Sequence, residues 1–527
     1  VRRRPPIRPA GVTAAVVAVA ALVTGCTVGP SSRPPLATYG QQPTTVTSAS
    51  PSARPTGPGG SGQQADPLSW GSCPSDLATE SVDGVAFTLE CAHLPVPGSY
   101  TESGSGSEDL AVVRARTDKT PADAPNLVLL SGDPGANGTA QIADLAGALP
   151  ADLRAGHAIV TLDLRGTLPT NPRMDCLRSD TLQEVLAPPT DPSDPDQAAA
   201  IGTLSTALTY DCGDEVGTTI TDFGTVNAAD DLDTLRAALG DDRLQFVGQG
   251  FGATLGAVYA NRYPGRVQRL VLDSPTDPAA SLTDTALARA IALESALDDY
   301  ADQCAADSCA LGADPKKYVT ELIATLGDTG GSAGGLLMTG GSVLLLLSRE
   351  LGDPEGWPQL TKALAAADGG NGDLHPMMAL LLRDLGLDDD RHLLESNIAY
   401  TCNDAGQRLS EASLAQNAAA AKKKAPVFGA FLIGQAGLCS DWPTAVLPLG
   451  RVTGAGAPPI LVAGSNADPI SPYSGVQSVV SQLSSAQLIS WQSGAHGTFP
   501  ASSCVGNAVQ SYLIDGTEPA AGLLCPP

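Results

Sequence analysis

Residues 245–256 read QFVGQGFGATLG, and the fold turns on how they are read. The run from Leu244 is apolar and strand-like, whereas Ala253 onward opens a helical pattern, ATLGAVYANRYP, that stops at a proline. Between them Gly248, Gly250 and Gly252 stand at alternate positions. A strand that reverses directly into a helix brings two backbones too close for Cβ atoms at the outer positions. The central residue is held strained at the helix N-terminus. Such a turn presents a nucleophile when its pattern is G-x-S-x-G. Here both outer glycines are present, but Gly250 carries no side chain. A glycine-rich loop approaching a phosphate would be followed by a lysine as in G-x-x-x-x-G-K, and none follows.

The surrounding chain supplies a sheet for this turn. The stretches starting at Gly84 (GVAFTLECAHL) and Leu110 (LAVVRAR) alternate as antiparallel strands do. Continuous apolar runs then begin at Asn126, His157, Leu244, Val267 and Pro459, each ending at a Gly- or Asp-rich turn, as buried parallel strands do. Helical patterns between them, such as TVNAADDLDTLRAALG from Thr225, complete an α/β fold with a mostly parallel, doubly wound sheet. From 279 to 396 the strand signal gives way to helical runs, which predicts an inserted helical cap. The sheet-forming core is thereby split into 69–278 and 397–527.

A serine-type turn works with a later acid and a later histidine. Asp468 lies past the Pro459 strand in GSNADPISPY, and His496 lies in GAHGTF after the strand-like QLISWQS. Taken singly, Asp468 is a turn-forming Asp-Pro and His496 a loop histidine; their order and their places at strand ends make them candidates for acid and base. His93, His157, His375 and His392 stand in strands or in the cap.

These pieces resemble the secreted bacterial tripeptidyl aminopeptidases of the α/β-hydrolase superfamily, including their TAP-like C-terminal region. The likeness runs from about residue 70 to 527. It rests on the glycine turn with its continuation YANRYPGRVQRLVLDSPTDP, on DLRGT at 163–167, and on DLDTLRAALG, GSNADPISPY, GAHGT and the ending SYLIDGTEPAAGLLC. The resemblance implies an α/β-hydrolase fold and an exported serine exopeptidase that removes short peptides from free N-termini, or a related esterase- or protease-type enzyme. By position, the family nucleophile falls on Gly250, the acid on Asp468 and the base on His496. The oxyanion loop corresponds to SGDPGANG at 131–138 together with Phe251, and Asp133 stands where the family has a glycine. A carboxylate beside a developing oxyanion opposes the stabilisation that dominates acyl transfer, where losing one donor costs ~10²–10³ in rate. Ser274, at the end of the next strand, and Thr254, one helical turn into the following helix, are alternative hydroxyls, and neither inherits the geometry of the turn.

Composition sets the compartment. The 527 residues carry 30 basic and 56 acidic side chains, a net charge of −26, which argues against a nucleic-acid partner. Residues 1–25 join an arginine-rich start to a short apolar run and read as an export signal. The run ends in VTGC, which resembles a bacterial lipobox with Cys26 as the lipidated residue. Residues 26–68, rich in Pro, Ser, Thr and Gly, read as a disordered tether. The eleven cysteines less Cys26 leave an even number in an oxidising compartment. Sequence does not fix their connectivity; neighbours pair plausibly as Cys73 with Cys91, Cys176 with Cys212, Cys304 with Cys309, Cys402 with Cys439 and Cys504 with Cys525. There is no C-x-x-C pair for zinc, and no metal or cofactor is expected. The expected protein is exported, membrane-anchored through a lipid on Cys26 or secreted, and binds a peptide or small ester between core and cap. By this reading it is inactive by the serine mechanism. The alternative is an active peptidase or esterase that uses Asp468 and His496 by a non-standard route.

Overall fold

The computed structural model describes residues 65–527 apart from 75–76, 78–80, 83, 131, 168–172 and 389–392. The export signal, Cys26, most of the tether and His392 therefore lie outside the described residues. The tether's expected end at 68 is corrected: Ala65 and Leu68 pack against the core, and the Leu68 N–H donates to Ala238 O at 3.2 Å.

One ten-stranded sheet organises the chain. Its strands are β1 (Gly71–Ser72), β2 (Thr88–Pro97), β3 (Ser107–Arg116), β4 (Asn126–Leu130), β5 (Ala158–Leu162), β6 (Leu244–Gln249), β7 (Val267–Asp273), β8 (Ile460–Ser465), β9 (Ala486–Trp491) and β10 (Leu523–Cys525). Their order across the sheet is β1-β2-β3-β5-β4-β6-β7-β8-β9-β10. The pairings up to β3–β5 are antiparallel and the rest are parallel. The sequence patterns explain the division. β2 alternates buried and exposed residues, as a strand with one wet face does, whereas every residue of β5 and β8 is buried. Successive residues of the central strands feed two separate cores. Val128, Val160, Phe246 and Leu270 face one, and Leu127, Ile159, Val247 and Val271 face the other.

The chain leaves β4 for β5 on one side and later takes up β6 on the other, so the crevice opens at the C-terminal ends of β4 and β6. The loop after β4, the glycine turn after β6, and the loops after β8 and β9 all emerge at strand C-termini on that rim.

All five cysteine pairs expected from chain proximity are bonded: Cys73–Cys91, Cys176–Cys212, Cys304–Cys309, Cys402–Cys439 and Cys504–Cys525. Cys73–Cys91 fastens the residues after β1 to β2, and Cys504–Cys525 fastens a C-terminal helix to β10. Each closes a loop at a typical stabilisation of ~2–4 kcal/mol.

The helical layer differs from the expected 279–396. Among the chain's helices are α1 (Pro195–Val216), α2 (Phe251–Arg262), α3 (Leu282–Ala306) and α4 (Gly340–Glu350), of which the last three reach the site. Helices continue past 396, through Leu393–Asp404, Glu411–Lys422 and Gly429–Gly437, before the sheet resumes at Ile460. The last two pack on α3 and also on α1, which precedes β6, so two separate chain segments build the layer. The sequence signal for α1 is its start: Pro195 occupies the first turn and the Asp194 side chain accepts from the N–H groups of Asp196 and Gln197. A second correction is the hairpin Gly331–Ala333 with Leu336–Met338 inside the cap. Gly334 and Gly335, with φ of +65° and +93°, make the tight turn that two-residue hairpins need.

Beside the sheet, the DLRGT segment is structural. Arg165 is fully buried and binds Asp231 through Nε and Nη2 at 2.8 and 2.7 Å, with Glu108 3.5 Å from Nη1. Neither Glu108 oxygen has a hydrogen-bond partner among the described residues. Burial therefore outweighs the pull of Arg165 and pushes the Glu108 carboxyl up to about 8. The folded chain holds a proton there that the unfolded chain has released, so stability falls as pH rises between the ordinary glutamate value and about 8. Glu108→Gln is expected to raise the urea midpoint at about pH 9 and to leave it nearly unchanged at about pH 4. Equal shifts at both pH values would show that Glu108 does not titrate in this way.

Candidate active site

The glycine turn has the geometry its sequence requires. A Cβ on Gly248 would lie 2.2 Å from Gly252 O, and one on Gly252 would lie 2.4 Å from Leu130 O, the last residue of β4. Both contacts are with backbone, which cannot move aside, so both positions are closed to any other residue. Gly250 is the N-cap of α2, with φ +57° and ψ −117°. Its N–H donates to Asp273 O at 2.8 Å, and its carbonyl accepts from Ala253 and Thr254. A Cβ built on Gly250 would point at the His496 ring, 3.2 Å from Nε2. The place of a nucleophile's side chain is therefore defined by its neighbours although no side chain fills it.

His496 is oriented from behind. Its Nδ1 lies 2.8 Å from Asp468 Oδ2. Asp468 is 1% exposed, and its other oxygen accepts from the backbone N–H groups of Ile470 and Ser471 at 2.8 and 3.0 Å. The Asp-Pro turn and the candidate acid are thus one residue, with one oxygen folding the loop and the other holding the imidazole. Burial lowers the His496 pKa, but the combined fields of Asp468, Asp273 and Asp133 outweigh it and hold the imidazole above its ordinary value.

The other histidines among the described residues stand apart from this pair. His157 is buried against Leu153 O, while His93 and His375 are exposed beside Asp109 and Asp373. The alternative hydroxyls are engaged elsewhere: Ser274 donates to Asp273 Oδ1, and Thr254 shares a hydrogen bond with Thr276 Oγ1 at 2.9 Å.

Two features of the site were not read from sequence. Asp273, the last residue of β7, is wholly buried, and its carboxylate accepts from Thr498 N (2.8 Å), Thr498 Oγ1 (2.9 Å), Phe499 N (2.8 Å) and Ser274 Oγ (3.2 Å). The same residue's carbonyl receives the Gly250 N–H, so Asp273 ties the glycine turn to the histidine loop. Its signal was an aspartate closing the buried apolar run LVL of the strand VQRLVLD.

The second feature is the partner of Asp133. Asp133, the carboxylate expected in the oxyanion loop, forms an ion pair with Arg349 of α4, a partner that the sequence alone does not give. Burial raises its pKa, but Arg349 first, then Arg289 and His496, hold the carboxyl below its ordinary value. The loop that carries Asp133 is itself anchored by Asp163, which accepts from Thr139 N and Oγ1 at 3.0 and 2.6 Å. Phe251 stands at the first position of α2, where helix N–H groups lack intrahelical acceptors, and its ring packs edge-on against Tyr400 at 5.3 Å. The site meets solvent: the side chains of Asp133, His496 and Arg349 are 38%, 27% and 23% exposed.

Comparison with known proteins gives the same family from sequence. A family model described as alpha/beta hydrolase fold matches residues 125–317, and one described as TAP-like protein matches residues 425–525. The chain is similar to a serine protease Hip1 from Mycobacterium tuberculosis, 29% identical over 489 residues that cover 87% of this chain and 91% of the relative. It is 29% identical over 480 residues to a carboxylesterase B of the same species, covering 87% and 90% of the two chains. A tripeptidyl aminopeptidase from Streptomyces lividans is 26% identical over 480 residues, with 87% of each chain covered. Among solved structures, a proline iminopeptidase from Mycobacterium smegmatis aligns at 14% identity and a TM-score of 0.33, covering 81% of this chain and 100% of that one.

Proposed function

Because the chain belongs to the TAP-like α/β hydrolases, we propose that it is an exported, peptide-binding member of that family that does not cleave by the serine mechanism. The observation that carries this reading is Gly250: the backbone, the imidazole and the acid of a nucleophile site stand in register around a position with no hydroxyl. Serine-type acyl transfer forms a covalent bond from the nucleophile oxygen to the substrate carbonyl, and no other atom occupies that place. The exposure of Asp133 and His496 leaves the site open to a ligand. Glycine relieves the strain of the turn, so the scaffold persists without the chemistry.

A second reading rests on the intact His496–Asp468 pair, which in principle activates a water in the space left by the missing side chain. The test is hydrolysis of a peptide anilide and of a nitrophenyl ester by the unaltered protein and by His496→Ala. Equal, background-level product from both supports binding without cleavage. Turnover at ordinary enzyme rates that disappears in His496→Ala would establish the water route instead.

The anchor is proposed from VTGC and the polar tether that follows. Mass spectrometry of the mature N-terminus is expected to find acylated Cys26, and an unmodified N-terminus elsewhere would remove the membrane from the account.

A further inference from the structure

The cap brings Arg349 onto Asp133 of the oxyanion loop and holds Arg289 against the end of the same helix. Arg349 of α4 is paired with Asp133. Arg289 of α3 donates through Nη2 to Ser348 O at 3.0 Å, and among the described residues it has no carboxylate partner. Its Nε is buried without a hydrogen-bond partner, and the residue as a whole is half-buried. The location is fixed by the end of α4: just beyond it, Gly352 O accepts the His496 N–H at 2.9 Å. Arg289 is thus held one residue from the Asp133 ion pair and beside the loop of the candidate base. Burial first, then Arg349, lower its pKa to about 10, and the opposing effects of Asp133 and Asp468 show that it lies within the field of the site. Asp468 is engaged by His496 and Asp133 by Arg349, so among the described residues Arg289 is the cation of this cluster without a carboxylate partner.

A partly buried guanidinium with an unsatisfied edge is costly unless an anion completes it, and a planar carboxylate is the anion its fork fits. We propose that Arg289, flanked by Arg349, forms a carboxylate-binding subsite on the cap side of the Asp133 loop, so that a bound peptide presents a carboxylate to that edge of the site. This rests on the peptide-binding reading and deepens it by naming the group recognised. The carboxylate belongs either to a free C-terminus or to an acidic side chain, and both present the same planar anion.

Isothermal titration of the full chain with Ala-Ala-Ala as the free acid, with its C-terminal amide, and with Ala-Ala-Asp amide tests the subsite. The free acid is expected to bind at least ~10-fold more tightly than the amide, and Arg289→Gln is expected to abolish that difference. Arg289→Lys should keep part of it, because charge remains without the fork. If Ala-Ala-Asp amide matches the free acid and is weakened equally by Arg289→Gln, the subsite stands and takes side-chain carboxylates as well. Equal binding of acid and amide to the unaltered protein overturns the subsite but leaves peptide binding in place. Absence of binding by all three peptides overturns both. Should Arg289→Gln fail to fold, the acid-to-amide ratio of the unaltered protein and the Arg289→Lys titration still decide.

Discussion

Gly250→Ser is expected to raise hydrolysis of a peptide anilide or ester by ~10²–10⁴-fold over the unaltered protein. The reason is geometric. A Cβ at this position lies 3.2 Å from His496 Nε2, which brings a serine Oγ within hydrogen-bond reach of an imidazole already held by Asp468 at 2.8 Å. Members of such a triad act as a unit, and removing the serine alone costs about 2 × 10⁶ in turnover where it has been measured. The smaller gain expected here reflects Asp133 in the oxyanion loop: its ion pair with Arg349 offsets its charge but does not supply the missing glycine. The restored base must be neutral to accept a proton. Because Asp468, Asp273 and Asp133 hold His496 above its ordinary value, activity should rise with pH along a limb displaced upward from that of a free imidazole. A non-glycine residue at φ +57° and ψ −117° costs ~1–3 kcal/mol, so the variant should be active yet less stable. A folded Gly250→Ser protein no faster than the original would show that more than one hydroxyl is missing.

Asp273→Ala is expected to lower stability by ~3–5 kcal/mol, the largest loss anticipated for a single side chain of the site. The carboxylate is wholly buried and is the acceptor for two backbone N–H groups and two hydroxyls. Alanine leaves the donors of Thr498 and Phe499 buried without acceptors and adds a cavity. Asp273→Asn is a milder companion, because its amide oxygen can keep the two backbone N–H groups while its N–H₂ donates to the Thr498 and Ser274 hydroxyls. Denaturant unfolding measures the loss directly. A change below ~1 kcal/mol would mean that the histidine loop finds its anchor elsewhere. In the Gly250→Ser background, Asp273→Asn should also lower kcat more than it raises KM, since it removes a charge that acts on the base and not a contact with the ligand. A change confined to stability would make Asp273 structural only.

The parts legible in the sequence are those set by neighbouring residues. Continuous apolar runs are buried on both faces, and from them the central strands could be placed to within a residue or two. Glycines at 248 and 252 announced a close backbone approach that the carbonyls of Gly252 and Leu130 now account for. Asp468 and His496 were singled out by their order and by their places after strands, and the fold brings them 2.8 Å apart. The extent of the helical layer was less legible, because the amphipathic pattern of α1 does not say which distant helices will cover it. Its partners, Glu411–Lys422 and Gly429–Gly437, lie some two hundred residues further along the chain.

What the sequence determined by itself is thus the fold class, the strand-turn-helix around Gly250 and the absence of a hydroxyl there, since period, glycine sterics and side-chain identity are local properties. Only the tertiary structure decided the electrostatics of the site. Asp133 meets Arg349 across 216 positions of sequence, and Thr498 meets Asp273 across 225. Charge interaction falls with distance in space and is indifferent to separation along the chain. Whether Asp133 is a bare anion or a paired one, and whether Arg289 is left to bind another, therefore followed only once the sheet and the helical layer had brought them together.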